Sequence, residues 1–176
     1  MIKILIGVVI VAIAVIGTFL VLDPSIGIQS VGNVTEVANT FTVTVEGEVY
    51  KEGSYTLNEG ALMSDLLEKC GGTTNNADER AYYETAELAK GMTYYIASRF
   101  DSNDLCNVNE VDKVNVNSDD ATTLATVNGI TNTIANSIVT YRTENGLFST
   151  LEQLLEVYGI GNATYHKIRN YVILHA

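Results

Sequence analysis

The sequence has no tryptophan, one proline, two cysteines and only two histidines in 176 residues. A single proline with 47% hydrophobic residues excludes a proline-rich or disordered chain, and two cysteines cannot make a disulfide-dense scaffold. His166 and His175 stand beside neither a cysteine nor a carboxylate pair at ligand spacing, so no metal centre is expected. No Walker-type loop and no nucleophile motif occurs, so the chain reads as a non-enzyme without a cofactor. Cations are scarce as well: 10 Lys and Arg against 21 Asp and Glu, a net charge of −11. Taken alone, that balance argues against nucleic acid, because a net-negative surface repels a polyanion.

Apolar residues, by contrast, are concentrated at the N-terminus. Ile4 to Leu22 carries no charge and is mostly Ile, Val, Leu and Ala. As a helix it would rise ~28 Å, close to the thickness of a bilayer's hydrocarbon core. Lys3 and the α-amino group precede the run and Asp23-Pro24 ends it, which places the N-terminus in the cytoplasm and the rest outside. A cleaved signal peptide would have a shorter core; Ala12-Ile13-Ala14 has suitable residues for cleavage but sits in mid-run. A core helix apolar all round would need a much larger protein to surround it. Residues 1–22 are therefore expected to be a single transmembrane anchor in the cell membrane. Residues 23–40, polar and weakly patterned, follow as a tether. Asn33-Val34-Thr35 matches a glycosylation acceptor, a pattern common by chance.

Residues 41–100 read as a small α+β domain. FTVTVEGEVY alternates with a period of two, the signature of a half-buried strand, KEG at 51–53 turns, and SYTL continues as a second strand. ALMSDLLEKC places Leu62, Leu66 and Leu67 on one helical face, and Gly71-Gly72 stops that helix. A short segment around Tyr82–Leu88 leads through Lys90-Gly91 to a closing strand, MTYYIA. One helix on a small mixed sheet is the expected result. Tyr82, Tyr83, Tyr94 and Tyr95 either form a glycan-stacking or protein-contact surface, or alternate ones fill the core and cap its edge. The order of Gly47, Tyr55, Gly71, Gly72, Asp78, Gly91 and Tyr94-Tyr95-Ile96 resembles an SLBB-type β-grasp domain. Glu52, Lys90 and Ala97 depart from that family's usual Pro, Asp and Pro.

The segment 101–112 reads as a linker, and residues 113–176 contain an internal repeat. VNGITNTIANSI and VYGIGNATYHKI align without gaps, with Gly129 thirty residues before Gly159. Each unit is a short helix, a tight Gly-containing turn and a second helix. The first helix begins near Asp120 and carries Leu124 inward. Ile134, Ala135, Ile138 and Tyr141 then recur at helical spacing until Asn145-Gly146. Ser149 with Glu152 three residues on reads as a capping box, and Tyr165, Ile168, Tyr171 and Val172 share a face of the last helix.

Two such units resemble a tandem helix-hairpin-helix domain. Together with the anchor and the β-grasp domain, they give the chain the architecture of the membrane-anchored ComEA family of competence DNA receptors. The resemblance implies hairpin glycines with φ > 0 and backbone N–H groups that hold phosphates of double-stranded DNA without reading sequence. Residues implied in DNA binding are Gly129, Ile130, Thr131, Asn132 and Thr133 in the first hairpin, and Gly159, Ile160, Gly161, Asn162 and Thr164 in the second. Lys167 and Arg169 are the expected ionic phosphate contacts. Thr131 replaces the usual second glycine, which predicts a strained or less open first turn, and Tyr158, Ile134 and Ala163 occupy positions often basic or polar.

The implied function is capture of double-stranded DNA for uptake during natural transformation, with self-association through the β-grasp domain and transfer to an uptake channel and pilus proteins. The rival reading is an anchored β-grasp adhesion or export-linked structural protein whose helix-hairpin-helix domain binds protein. Residues 110–176 hold only Lys113, Arg142, Lys167 and Arg169 as cations, so binding should depend weakly on salt, with a log–log slope of about −2 to −3. Cys70 and Cys106 would both lie outside the membrane, where they either bridge or leave Cys70 as a small buried residue before the glycine pair.

Overall fold

The computed structural model describes residues 39–100 and 110–176. The expected anchor, most of the tether and Cys106 lie outside the described residues, so the membrane span and the Cys70–Cys106 bridge lie there too. Among the described residues no helix is long and apolar enough to cross a membrane.

Alternation in the first strand does what a period of two requires. In β1 (Thr40–Gly47), Val43 and Val45 are buried while Thr42 and Thr40 face water. β2 (Gly53–Asn58) pairs antiparallel to it, with Val43 opposite Tyr55, and β3 (Thr93–Ile96) pairs parallel on the other side, giving the order β2-β1-β3. Helix α1 (Met63–Cys70) covers the sheet with Met63, Leu66, Leu67 and Cys70. The expected face is therefore shifted: Leu62 stands before the first turn, where its N–H donates to the Asp65 carboxylate at 2.8 Å, and Met63 starts the i, i+3, i+4, i+7 stripe. Gly71, at φ 88°, ends the helix. The buried Cys70 thiol lies 3.2 Å from the Leu67 carbonyl.

The four tyrosines divide by face. Tyr82 and Tyr94 fill the core of this domain, Tyr95 packs against the helices that follow, and Tyr83 touches both cores.

Those helices repeat as their sequence does. Asp120 caps α2 (Ala121–Leu124) by accepting the Thr123 N–H at 2.8 Å, and α3 (Asn132–Asn145) buries Ile134, Ala135 and Ile138. The second unit opens with a 3-10 helix, Leu151–Glu156, followed by α4 (Asn162–Ile168). Its cap is one residue later than expected. Thr150 precedes the first turn, and the Gln153 carboxamide accepts the Ser149 and Thr150 N–H groups, while Glu152 points inward and is buried. Helix α4 also ends sooner than the Tyr165–Val172 face suggested. Tyr171 lies beyond it, half exposed, and Val172 belongs to β5 (Val172–Ile173), which pairs parallel with β4 (Val114–Asn115).

The described residues fall in one compact unit, so the two parts pack on one another. The residues just after the undescribed segment bond back to the first domain: Val111 N–H donates to the Arg99 carbonyl at 2.9 Å. Ala81 and Ala97 of the β-grasp domain enter the core of the helical one. A buried ion cluster holds the seam. Asp78 and Lys113 side chains, each 1% exposed, meet at 2.9 Å, and Arg80 adds two bonds to the same carboxylate. Burial alone would raise the Asp78 pKa, but Arg80 and Lys113 outweigh it and hold the carboxyl at about 2. For Lys113 burial dominates and lowers the pKa, with Asp78 offsetting part of the shift.

Glu152, 3% exposed, accepts the Tyr95 N–H and the Tyr165 hydroxyl, both at 2.8 Å. Burial raises its pKa, and these donors pull it back in part. Asn170 closes the seam by accepting from the Ser98 N–H and hydroxyl at 2.8 and 3.0 Å.

Candidate nucleic-acid interface

Each repeat makes the same turn between its helices. In the first, the Ile130 N–H donates to the Val127 carbonyl at 2.9 Å; in the second, the Ile160 N–H donates to Val157 at 3.0 Å. Gly129 and Gly159 precede these donors at φ 117° and 92°, a region that side chains with a Cβ adopt only with strain. Close packing adds a second reason for glycine. A Cβ on Gly129 would come within 3.0 Å of Ile168 on α4, and one on Gly159 within 3.2 Å of Ile134 on α3. Each hairpin thus rests on the second helix of the other repeat, which fixes the two turns relative to one another.

The residues after the turns do not repeat the positive φ. Gly161 sits at φ −96° and Thr131 at φ −76°, both extended, so the strain expected at Thr131 is absent. Thr131 instead caps α3, its hydroxyl accepting the Ile134 N–H at 3.3 Å. That bond leaves the Asn132 and Thr133 N–H groups without an acceptor among the described residues. In the second hairpin Gly161 has no side chain to offer, and the N–H groups of Asn162, Ala163 and Thr164 are without one. A Cβ added to Gly161 would meet nothing within 4 Å, so the approach to these donors is open.

Of the residues expected in DNA binding, Thr131, Asn132, Thr133, Gly161 and Asn162 are exposed and Thr164 is half exposed. Ile130 and Ile160 are 4% exposed, so their side chains anchor the turns in the core. The two expected cations separate. Lys167 is exposed, and its stem lies across the first hairpin, 3.1 Å from the position of a Gly129 Cβ, although it follows the second hairpin in sequence. Arg169 leaves the site: its guanidinium lies 3.7 Å over the Tyr95 ring and 3.3 Å from Glu46, closing the seam to the β-grasp domain. Arg142 donates to the carbonyls of Val116 and Asp119 at 2.7 Å, and Lys113 is buried on Asp78. Residues 110–176 therefore bring one unpaired cation, Lys167, to the hairpin face.

The arrangement matches known sequence families over both parts. The helix-hairpin-helix motif family matches residues 108–173, and the SLBB domain family matches residues 42–96. ComE operon protein 1 of Bacillus subtilis is 28% identical over 152 residues, which cover 81% of this chain and 74% of that protein. An uncharacterized protein of Haemophilus influenzae is 44% identical over 63 residues, 35% of this chain and 56% of its own length. An uncharacterized protein of Neisseria meningitidis is 37% identical over 59 residues, 34% of this chain but 8% of that protein. The fold and the paired hairpins define a two-part protein, an SLBB domain joined to a tandem helix-hairpin-helix domain. These two domains and the likeness to ComE operon protein 1 support a place for the chain in the ComEA family.

Proposed function

We propose that this protein is a competence DNA receptor that binds double-stranded DNA without sequence preference for uptake during natural transformation. The observation that carries the reading is the pair of hairpins. Each presents backbone N–H groups without an acceptor among the described residues at the start of a helix, and their positions are locked by cross-packing of Gly129 on α4 and Gly159 on α3. Backbone donors and helix dipoles suit phosphate oxygens and carry no base code, so they grip a duplex wherever it is met. Two such grips fit the two strands of one duplex. The helix-hairpin-helix match and the likeness to ComE operon protein 1 support a DNA-binding, competence-related role.

In this proposal residues 1–22 span the cell membrane with the N-terminus in the cytoplasm, and the rest of the chain faces outward. That topology rests on the charge-free run and the preceding Lys3. Self-association through the SLBB domain would place weak sites side by side along one DNA, raising avidity without new contacts. Uptake-channel and pilus proteins would receive the captured DNA.

The test is an electrophoretic mobility shift with the full chain in detergent and several duplexes of unrelated sequence. The full chain is needed because the helical core takes in Ala81 and Ala97 of the SLBB domain. Comparable retardation of every duplex is expected. Absence of any shift at low salt would overturn the receptor reading in favour of a protein-binding role for the hairpins.

A further inference from the structure

The hairpin face is short of charge yet carries a large aromatic ring that stays exposed among the described residues. Tyr158 is 82% exposed, the most exposed of the large hydrophobic side chains among the described residues. Tyr55, Tyr83, Tyr94, Tyr141 and Tyr165 all engage their hydroxyls within the protein, whereas the Tyr158 hydroxyl has no partner among the described residues. The ring does not stand on a loose loop. Its backbone is held in the second hairpin by the Ile160-to-Val157 bond and by Gly159 at φ 92°, which is seated on Ile134. Val157 and Ile160, on either side, are buried and pin the turn to the core. The equivalent position of the first hairpin, thirty residues earlier, is Asn128, exposed and polar.

We infer that Tyr158 is a non-ionic DNA contact, packing its ring on the deoxyribose edge beside the phosphate that the second hairpin holds. An apolar ring kept in water on a fixed turn is stabilised when a partner covers it. Deoxyribose edges offer such cover at every nucleotide of a duplex, so the contact is independent of sequence. It also matches the electrostatics. With Lys167 lying over the first hairpin, the second has backbone donors and Tyr158 but no cation from residues 110–176 at its mouth. The two hairpins then divide the work, the first holding DNA by charge and the second by backbone bonds and ring contact. This inference rests on the DNA-binding reading above and assigns the second hairpin its affinity within it.

The experiment measures duplex binding by fluorescence anisotropy for the full chain, Tyr158→Ala and Tyr158→Phe across a salt series. Tyr158→Ala should weaken binding about tenfold at every salt concentration, leaving the slope of log K against log salt unchanged, and Tyr158→Phe should stay within about twofold of the parent. Because the sequence has no tryptophan, Tyr158→Trp adds a single indole reporter, whose emission should be quenched by saturating duplex. Parent-like affinity of Tyr158→Ala, or an indole emission indifferent to bound DNA, would overturn this inference while leaving the receptor reading intact. Failure of the parent chain to bind any duplex would overturn both.

Discussion

Salt dependence separates a backbone grip from an ionic one. Each phosphate neutralised by a Lys or Arg contributes about −0.9 to the slope of log K against log salt for duplex DNA. Counting cations along residues 110–176 gives four candidates, but the structure removes three: Lys113 is buried on Asp78, Arg169 is held by Glu46 and Tyr95, and Arg142 is held by two carbonyls. Lys167 alone remains at the hairpins, so the slope should be about −1 per bound protomer rather than the −2 to −3 that the sequence suggested. Between 50 and 200 mM salt, affinity should then fall only about three- to fourfold. Replacing Lys167 by Ala should flatten the line nearly to zero, and replacing Arg169 should leave its slope unchanged. Anisotropy titrations of the full chain and both variants over that range check these values. A parent slope of −3 or steeper would refute the reasoning, because cations tied up here would have to reach the DNA.

Two further outcomes follow from the site and the seam. Gly161→Val should lower DNA affinity at least tenfold with an unchanged melting temperature, since its side chain enters only the open approach to the N–H groups. Gly159→Val, by contrast, should lower the melting temperature through positive-φ strain of about 1–2 kcal/mol and the contact with Ile134; equal melting of the two variants would contradict this. Acid should loosen the seam. Asp78 is held at about 2, below the ordinary carboxylate value, so its stabilisation is complete above pH ~4 and is lost as pH falls toward 2, a difference of about 2 kcal/mol. Glu152, raised by burial, acts in the opposite sense, with stability regained as it protonates. The comparison of parent with Asp78→Asn therefore isolates Asp78: melting scans from pH 5 to 2 should fall less steeply for the variant, and parallel falls would contradict the assignment.

Local patterns were legible where local chemistry decides. The two-residue period of β1, the Asp120 cap, the Gly71-Gly72 stop and the thirty-residue repeat of the hairpins are all set within a few residues of themselves. What escaped was set at long range. Arg169 reads as a phosphate ligand from its place on the last helix, but its partner Glu46 is 123 residues away. Glu152 reads as a surface capping residue until Tyr95, 57 residues earlier, supplies a buried donor. Lys167 was legible as a contact but not as one for the first hairpin, because only the cross-packing of the repeats brings its stem to Gly129. The unpaired exposure of Tyr158 left one trace in the sequence, an aromatic residue at a position often basic or polar.

The seven residues of α4 have a use besides mounting the second hairpin. Arg169, just past its C-terminal end, clasps the Glu46 edge of the SLBB domain, while the hairpin lies at its N-terminal end, about 10 Å of helical rise away. That length is close to the distance over which salt screens charge at physiological ionic strength, about 8 Å, and far short of the roughly 30 Å that applies at 0.01 M. The helix is a fixed stand-off between a polyanion and an acidic neighbour, sufficient in physiological salt and insufficient in dilute buffer. Below about 50 mM salt the acidic neighbour should therefore begin to offset the attraction of Lys167, and the line of log K against log salt should bend to less than its slope of about −1.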